Sequence, residues 1–199
     1  MLKKIILMMA STVSVFALHT AELNINDLDL EVGAKFDMGQ FNQSVEPNTM
    51  FVGAKFFNPD ASHSQDNISK INPYVEGNFL IMREIGNKGM SLGMGAKLNY
   101  TQVDGKDFSS LPLGVEFAYT IPAPKLIPMS INGSVYYAPK VLSFADAKNY
   151  LEYRIHYDVE FIENAGVRIG YRSMNTNFDL VNSNINYNTS WYFGFKVKF

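Results

Sequence analysis

The chain has no cysteine in 199 residues and a single tryptophan, Trp191. The missing cysteine excludes a disulfide framework, a lipid anchor on sulfur, and any thiolate nucleophile or metal site. No long apolar run follows Ala21, so nothing beyond it suits a membrane helix of about 20 residues. No basic block occurs and the formal net charge is −2, which removes nucleic acid from the expected partners. There is no phosphate loop, zinc-binding helix motif or Ca²⁺-loop spacing, so no cofactor and no metal are expected. The length suits one domain.

What is present begins with Met1-Leu2-Lys3-Lys4, then an apolar stretch through Ile5-Ile6-Leu7-Met8-Met9 to Phe16-Ala17. A basic start, a short apolar core and small residues at its end form the pattern of a secretory signal peptide. The expected division is a signal peptide over residues 1–21, cleaved after Ala17 or Ala21, and one domain over 22–199. Its short length and its Ser11, Thr12 and Ser14 argue against an uncleaved anchor. Loss of Lys3 and Lys4 makes the mature chain two charges more negative.

Aromatic residues make up 14% of the chain, and glycine occurs 14 times, a composition of strands and tight turns. At the C-terminus Trp191, Phe193, Phe195, Val197 and Phe199 alternate with Tyr192, Gly194, Lys196 and Lys198. A period of two gives a strand with one apolar and one polar or small face. Similar alternation runs through residues 28–38, 50–57, 73–82, 90–100, 111–121, 127–137, 151–161 and 167–172. In 50–57 it is less clean, because Phe51 and Phe57 fall on the other face. A tilted strand crosses a bilayer in about 9–11 residues, and lipid satisfies no backbone hydrogen bond, so a membrane sheet must close. The expected fold is all-β: an antiparallel up-and-down transmembrane β-barrel. Nine stretches are an odd count for a class with even numbers. Ten strands are favoured, with a poorly patterned tenth at 22–27. The alternative is eight, with the first stretch packed elsewhere. Connections at 58–72, 102–110, 138–148 and 175–188 read as long loops, and those at 83–89, 122–126 and 163–166 as short turns. Short turns belong in the periplasm, which places the C-terminus there and the protein in the outer membrane of a Gram-negative bacterium.

The richest charge cluster sits on the polar faces of 151–161 and 167–172: Glu152, Arg154, His156, Asp158 and Glu160 against Arg168 and Arg172. The tight turn makes these stretches hairpin neighbours. One register sets Glu160 beside Arg168 and His156 beside Arg172; another sets Asp158 beside Arg172. Either places acids across from arginines, and Lys55, Glu76, Lys97 and Glu116 extend the network around the wall. Two readings stay open. The cluster is a constriction selecting small ions or solutes by charge, or it is a salt-bridged plug, since side chains fill a barrel of about eight strands. No catalytic residue is expected. The loop pair His63-Ser64 hints at a lipid-processing enzyme but lacks a fixed nucleophile, base and orienting group. Asp60, Asp66, Asp104 and Asp107 read as solvated loop carboxylates. A soluble periplasmic ligand-binding barrel is a further rival, with apolar residues inside and charges outside; alternation alone does not say which face is in.

Tyr137-Ala138-Pro139, Tyr150-Leu151-Glu152-Tyr153, Asn164-Ala165-Gly166-Val167-Arg168-Ile169-Gly170-Tyr171-Arg172 and the terminal Phe199 together resemble the C-terminal half of the YfaZ family of outer-membrane proteins, over roughly residues 90–199. The resemblance implies a small outer-membrane barrel and transfers no catalytic residue. The alternating aromatics ending in Phe199 also resemble the C-terminal signal by which such barrels are handed to the barrel assembly machinery. Outer-membrane lipid and that machinery are thus the expected partners, with Trp191, Phe193, Phe195, Val197 and Phe199 as the insertion signal.

Overall fold

The computed structural model describes residues 19–60, 70–86, 89–122, 127–178 and 181–199. The expected signal peptide up to residue 18, and His63, Ser64 and Asp66, lie outside the described residues. Twelve strands follow in order: β1 Thr20–Ile25, β2 Leu30–Asp37, β3 Met50–Asn58, β4 Tyr74–Glu84, β5 Met90–Val103, β6 Lys106–Ser110, β7 Leu113–Thr120, β8 Met129–Ala138, β9 Ser143–Ala145, β10 Ala147–Ile162, β11 Ala165–Phe178 and β12 Val181–Lys198. Ten of them form a ring, β1-β2-β3-β4-β5-β7-β8-β10-β11-β12, closed where β12 pairs with β1, and every pairing is antiparallel. The expected tenth strand at 22–27 is β1. The short link into β2 is possible because Asn26 Oδ1 accepts the N–H groups of Leu28 and Asp29, at 2.9 and 2.6 Å, an Asx turn built from one side chain.

The two extra strands correct two of the expected loops. The 102–110 segment is a hairpin, turned at Asp104 (φ 46°) and Gly105 (φ 77°), and β6 runs back along the far part of β5 while β7 takes the near part. Pro112 stands between them; it has no N–H to give a ladder, though its carbonyl still accepts from Lys97 N–H at 2.9 Å. The 138–148 segment is likewise interrupted at Pro139 by a 3₁₀ turn, Lys140–Leu142, before β9 resumes pairing against β6. β6 and β9 thus continue the lines of β7 and β8 past a proline-bearing break.

The described parts of the Asn-rich 175–188 segment, residues 175–178 and 181–188, are also strand rather than loop. Here β11 and β12 run on together, and polar side chains make the cross-strand contacts: Ser173 Oγ with Thr189 Oγ1 at 3.1 Å, Asn177 Nδ2 with Asn149 Oδ1 at 3.0 Å. The wall is therefore uneven. β10, β11 and β12 have 16, 14 and 18 residues, against 6 in β1 and 8 in β2.

Side-chain direction settles which face is in. Leu23, Val32, Phe79, Met94, Ile155, Ile169 and Trp191 are all exposed on the outer surface, whereas Glu31, Glu152 and Arg172 have none of their surface exposed. The apolar face looks out and the charged face looks in, opposite to a soluble barrel. Inside, at the end away from the termini, Phe57, Tyr74, Phe108, Tyr150, Met174 and Phe178 pack with their neighbours into an apolar cluster. Phe57, which spoiled the alternation of the second stretch, points inward because it belongs to this cluster.

Interior tyrosines need room, and glycines opposite them provide it. Tyr192 lies across its ladder partner Gly170, and Tyr136 lies across Gly114 and reaches Gly95. A Cβ on Gly170 would meet the Tyr192 ring at 2.4 Å, whereas one on Gly77 would meet nothing within 4 Å. Gly170→Val is expected to destabilise the barrel by about 1–3 kcal/mol through overpacking, with Gly77→Ala close to neutral. Urea unfolding midpoints of the refolded variants check the difference.

Candidate functional site

The β10–β11 hairpin turns through two residues, Glu163 and Asn164 (φ 65°), with Ile162 opposite Ala165. A bulge at Phe161 then shifts the ladder so that Glu160 pairs with Gly166. From there Asp158 faces Arg168, His156 faces Gly170 and Arg154 faces Arg172. Neither expected register is the real one: the two-residue turn and the single bulged residue at Phe161 together set the offset and bring the polar faces of the two strands into line. Arg168 keeps an acid across from it, gripping Asp158 through Nε at 2.6 Å and Nη2 at 2.9 Å. Arg154 and Arg172 instead form a like-charge pair across the ladder, which is repulsive unless neutralised.

The neutralising group is Glu31 on β2. Arg154 Nη1 donates to both its oxygens at 2.8 Å, and Arg172 Nη1 lies 3.5 Å from Oε2. Arg172 also donates to Asp29 at 2.9 Å and to Asn188 at 2.9 Å, and its guanidinium lies 3.9 Å from the centre of the Phe57 ring. Glu152 accepts from Arg154 Nε, from Lys97 at 2.9 Å and from the Tyr150 hydroxyl at 3.0 Å. Lys97 stands between Glu152 and Glu76, 3.3 Å from the latter. The whole forms a layer of charge pairs across the middle of the barrel, below the apolar cluster.

The other cluster residues lie nearer the rim that carries the termini. His156 Nε2 is 3.9 Å from Asp158, and its Nδ1 has no hydrogen-bond partner. Glu160 pairs with Lys198. Lys55 lies between Glu22 and Glu31, and Lys35 reaches Glu116 across the interior. The expected extension through Lys55, Glu76, Lys97 and Glu116 is therefore present. Absent from the expected cluster were Glu22, which receives Arg168 Nη1, and the hub residues Asp29 and Glu31. Their even-odd position on the first stretches was visible, but their partners lie up to 161 positions away and follow only from the order of strands around the ring. Trp191, Phe193, Phe195, Val197 and Phe199 all point outward along β12. Asp104 and Asp107 are engaged at the far end: Asp104 Oδ1 accepts Lys70 N–H at 2.8 Å, and Asp107 Oδ1 accepts the Tyr100 hydroxyl at 2.9 Å.

A buried ion pair is more costly to break than it is favourable to form, because the orphaned charge keeps its desolvation penalty. Glu31 serves two arginines at once. Glu31→Gln is expected to lower unfolding stability by about 3–5 kcal/mol, more than the exposed-pair variant Glu46→Gln at Arg83, where a surface pair contributes about 0–1 kcal/mol. Parallel urea titrations of the two refolded variants check this.

A search of curated proteins finds no match. The family model described as YfaZ precursor matches residues 7–199, nearly the whole chain, and so reaches well beyond the C-terminal half that carries the visible motifs. With a closed ten-stranded antiparallel barrel at its core, the chain belongs to the YfaZ precursor family.

Proposed function

We propose that the mature chain is a structural barrel of the bacterial outer membrane, with a charge-lined lumen and no chemistry of its own. The observation that carries this reading is the distribution of faces: an apolar outer surface on a closed ring and paired charges within, the arrangement lipid demands. The rim bearing both termini carries the two-residue Glu163-Asn164 turn, while the tall β5–β6 and β11–β12 hairpins rise from the other rim. Apart from the 38–49 connection, which also lies at the terminus-bearing rim, short turns on one side and tall hairpins on the other support a periplasmic C-terminus. The outward aromatics of β12 suit lipid contact and delivery by the barrel assembly machinery.

The leader is removed after Ala17 in this reading. His19 exchanges both backbone hydrogen bonds with Phe199, at 3.1 and 2.9 Å, its Nδ1 accepts from Asp37 N–H, and its ring packs against Phe36, Phe41 and Phe199. Cleavage after Ala21 would delete that clasp and the first two residues of β1. N-terminal sequencing of the protein from outer membranes is expected to begin at Leu18; a start at Glu22 would refute this site.

A narrow-pore role is the second reading, favoured by a cavity of about 450 Å³ in the half of the barrel nearest the termini. The structural role predicts no discrete conductance from refolded, heat-modifiable protein in a planar bilayer, because the charge-pair layer and apolar cluster close the path. Discrete steps whose ion selectivity changes on Arg168→Gln or Arg172→Gln would establish the pore instead.

A further inference from the structure

We propose that the cavity at the terminus-bearing rim is a binding site for a small soluble oxyanion of the phosphate or carboxylate type. The site rests on the charge-lined interior proposed above and not on conduction. Its volume, about 450 Å³, lies within the ~300–1,000 Å³ of small-molecule pockets. Thr20, Asn48 and Lys198 at its mouth place the opening on the barrel axis, away from the lipid-facing surface.

The charges are sorted by depth. Among the described residues, seven lysine and arginine side chains line the cavity against three carboxylates, Glu22, Glu76 and Glu116. The carboxylates that balance the rest, among them Glu31, Glu152 and Asp158, stand behind the cations. The cations also differ in how firmly they are held. At the floor the pairs are tight: Arg154–Glu31 at 2.8 Å and Lys97–Glu152 at 2.9 Å. Nearer the mouth Arg168 and Lys198 are also tightly held, on Glu22, Asp158 and Glu160, but three lysines facing the cavity are held loosely: Lys35–Glu116 at 3.5 Å, Lys196–Asp158 at 3.5 Å, and Lys55 at 3.6 and 3.7 Å from Glu22 and Glu31. A charge-assisted N–H···O bond is about 2.7–2.9 Å long. An ammonium has three donors, so Lys35, Lys55 and Lys196 hold donors that their own carboxylates do not take up. Lys55 is the strongest case, with its side chain only 12% exposed and that exposure turned to the cavity. An oxyanion among these three would accept hydrogen bonds that are otherwise left to water, in a recess where charge is poorly screened. It would also relieve the mutual repulsion of the cations.

The test is titration of refolded protein in zwitterionic micelles with sodium phosphate at constant ionic strength, read by calorimetry and by unfolding temperature. Saturable binding that raises the unfolding temperature is expected, weakened about tenfold by Lys55→Gln or Lys196→Gln through loss of a charged hydrogen bond. Lys148→Gln, on the far part of β10, is expected to leave it unchanged. Heat-modifiable migration verifies that each variant is folded, and Lys35→Gln at the partly open rim serves if Lys55→Gln is not. Absence of saturable binding, or equal binding in the cavity variants and the wild type, would overturn the proposal. The readout is the same whether the barrel conducts or is silent, so failure here and failure of the structural role are separate results.

Discussion

In a bilayer a peptide N–H or C=O has no water to turn to, so a sheet survives there only when its two edges meet. In this chain they meet over the six residues of β1, the shortest strand of the ring, set between β12 and β2. The clasp of His19 on Phe199 extends that seam to the last residue. Strand count, inward charge and the placing of every interior side chain follow from closing the ring at ten rather than eight, because the number of strands sets the width that the interior has to fill.

The interior is filled in layers. Aromatic and apolar side chains occupy the end away from the termini, paired charges cross the middle, and the remaining space opens toward the terminal rim. Each layer suits its position. Tyrosines fit a closed wall where glycines face them, as at Gly170 and Gly114, and hydroxyls of Tyr74 and Tyr150 reach down to carboxylates of the charge layer. Charges buried in the middle are tolerated because nearly every one has a hydrogen-bonded counter-charge.

Much of this was legible in the chain itself, since period-two alternation sorts residues into two faces: 151–161 and 191–199 have the inner and outer residues expected of them. Three kinds of information were not legible. Composition does not separate a polar loop from a strand with polar side chains on both faces, so the Asn-rich part of β11 and β12 read as loop although Asn177 pairs across the ladder with Asn149. Parity fixes the face of Arg154, Asp158, Arg168 and Arg172 but not their offset, and one bulged residue at Phe161 decided which of them met. The partners of Glu31 and Glu22 required the ring order, which no local pattern contains.

The like-charge meeting of Arg154 and Arg172 bears on the order of assembly. A hairpin joined by two residues is ordinarily the fastest and most independent piece of a β protein. Within the hairpin Arg154 has Glu152 beside it, but the one carboxylate that both guanidiniums share, Glu31, comes from a strand 123 positions earlier than Arg154. The most local hairpin of the C-terminal half therefore depends, for its shared counter-charge, on one of the most distant contacts in the chain, whose closure carries a large loop entropy. The charge pairing of the late strands is thus completed by an early one, and the two ends of the chain share one buried network.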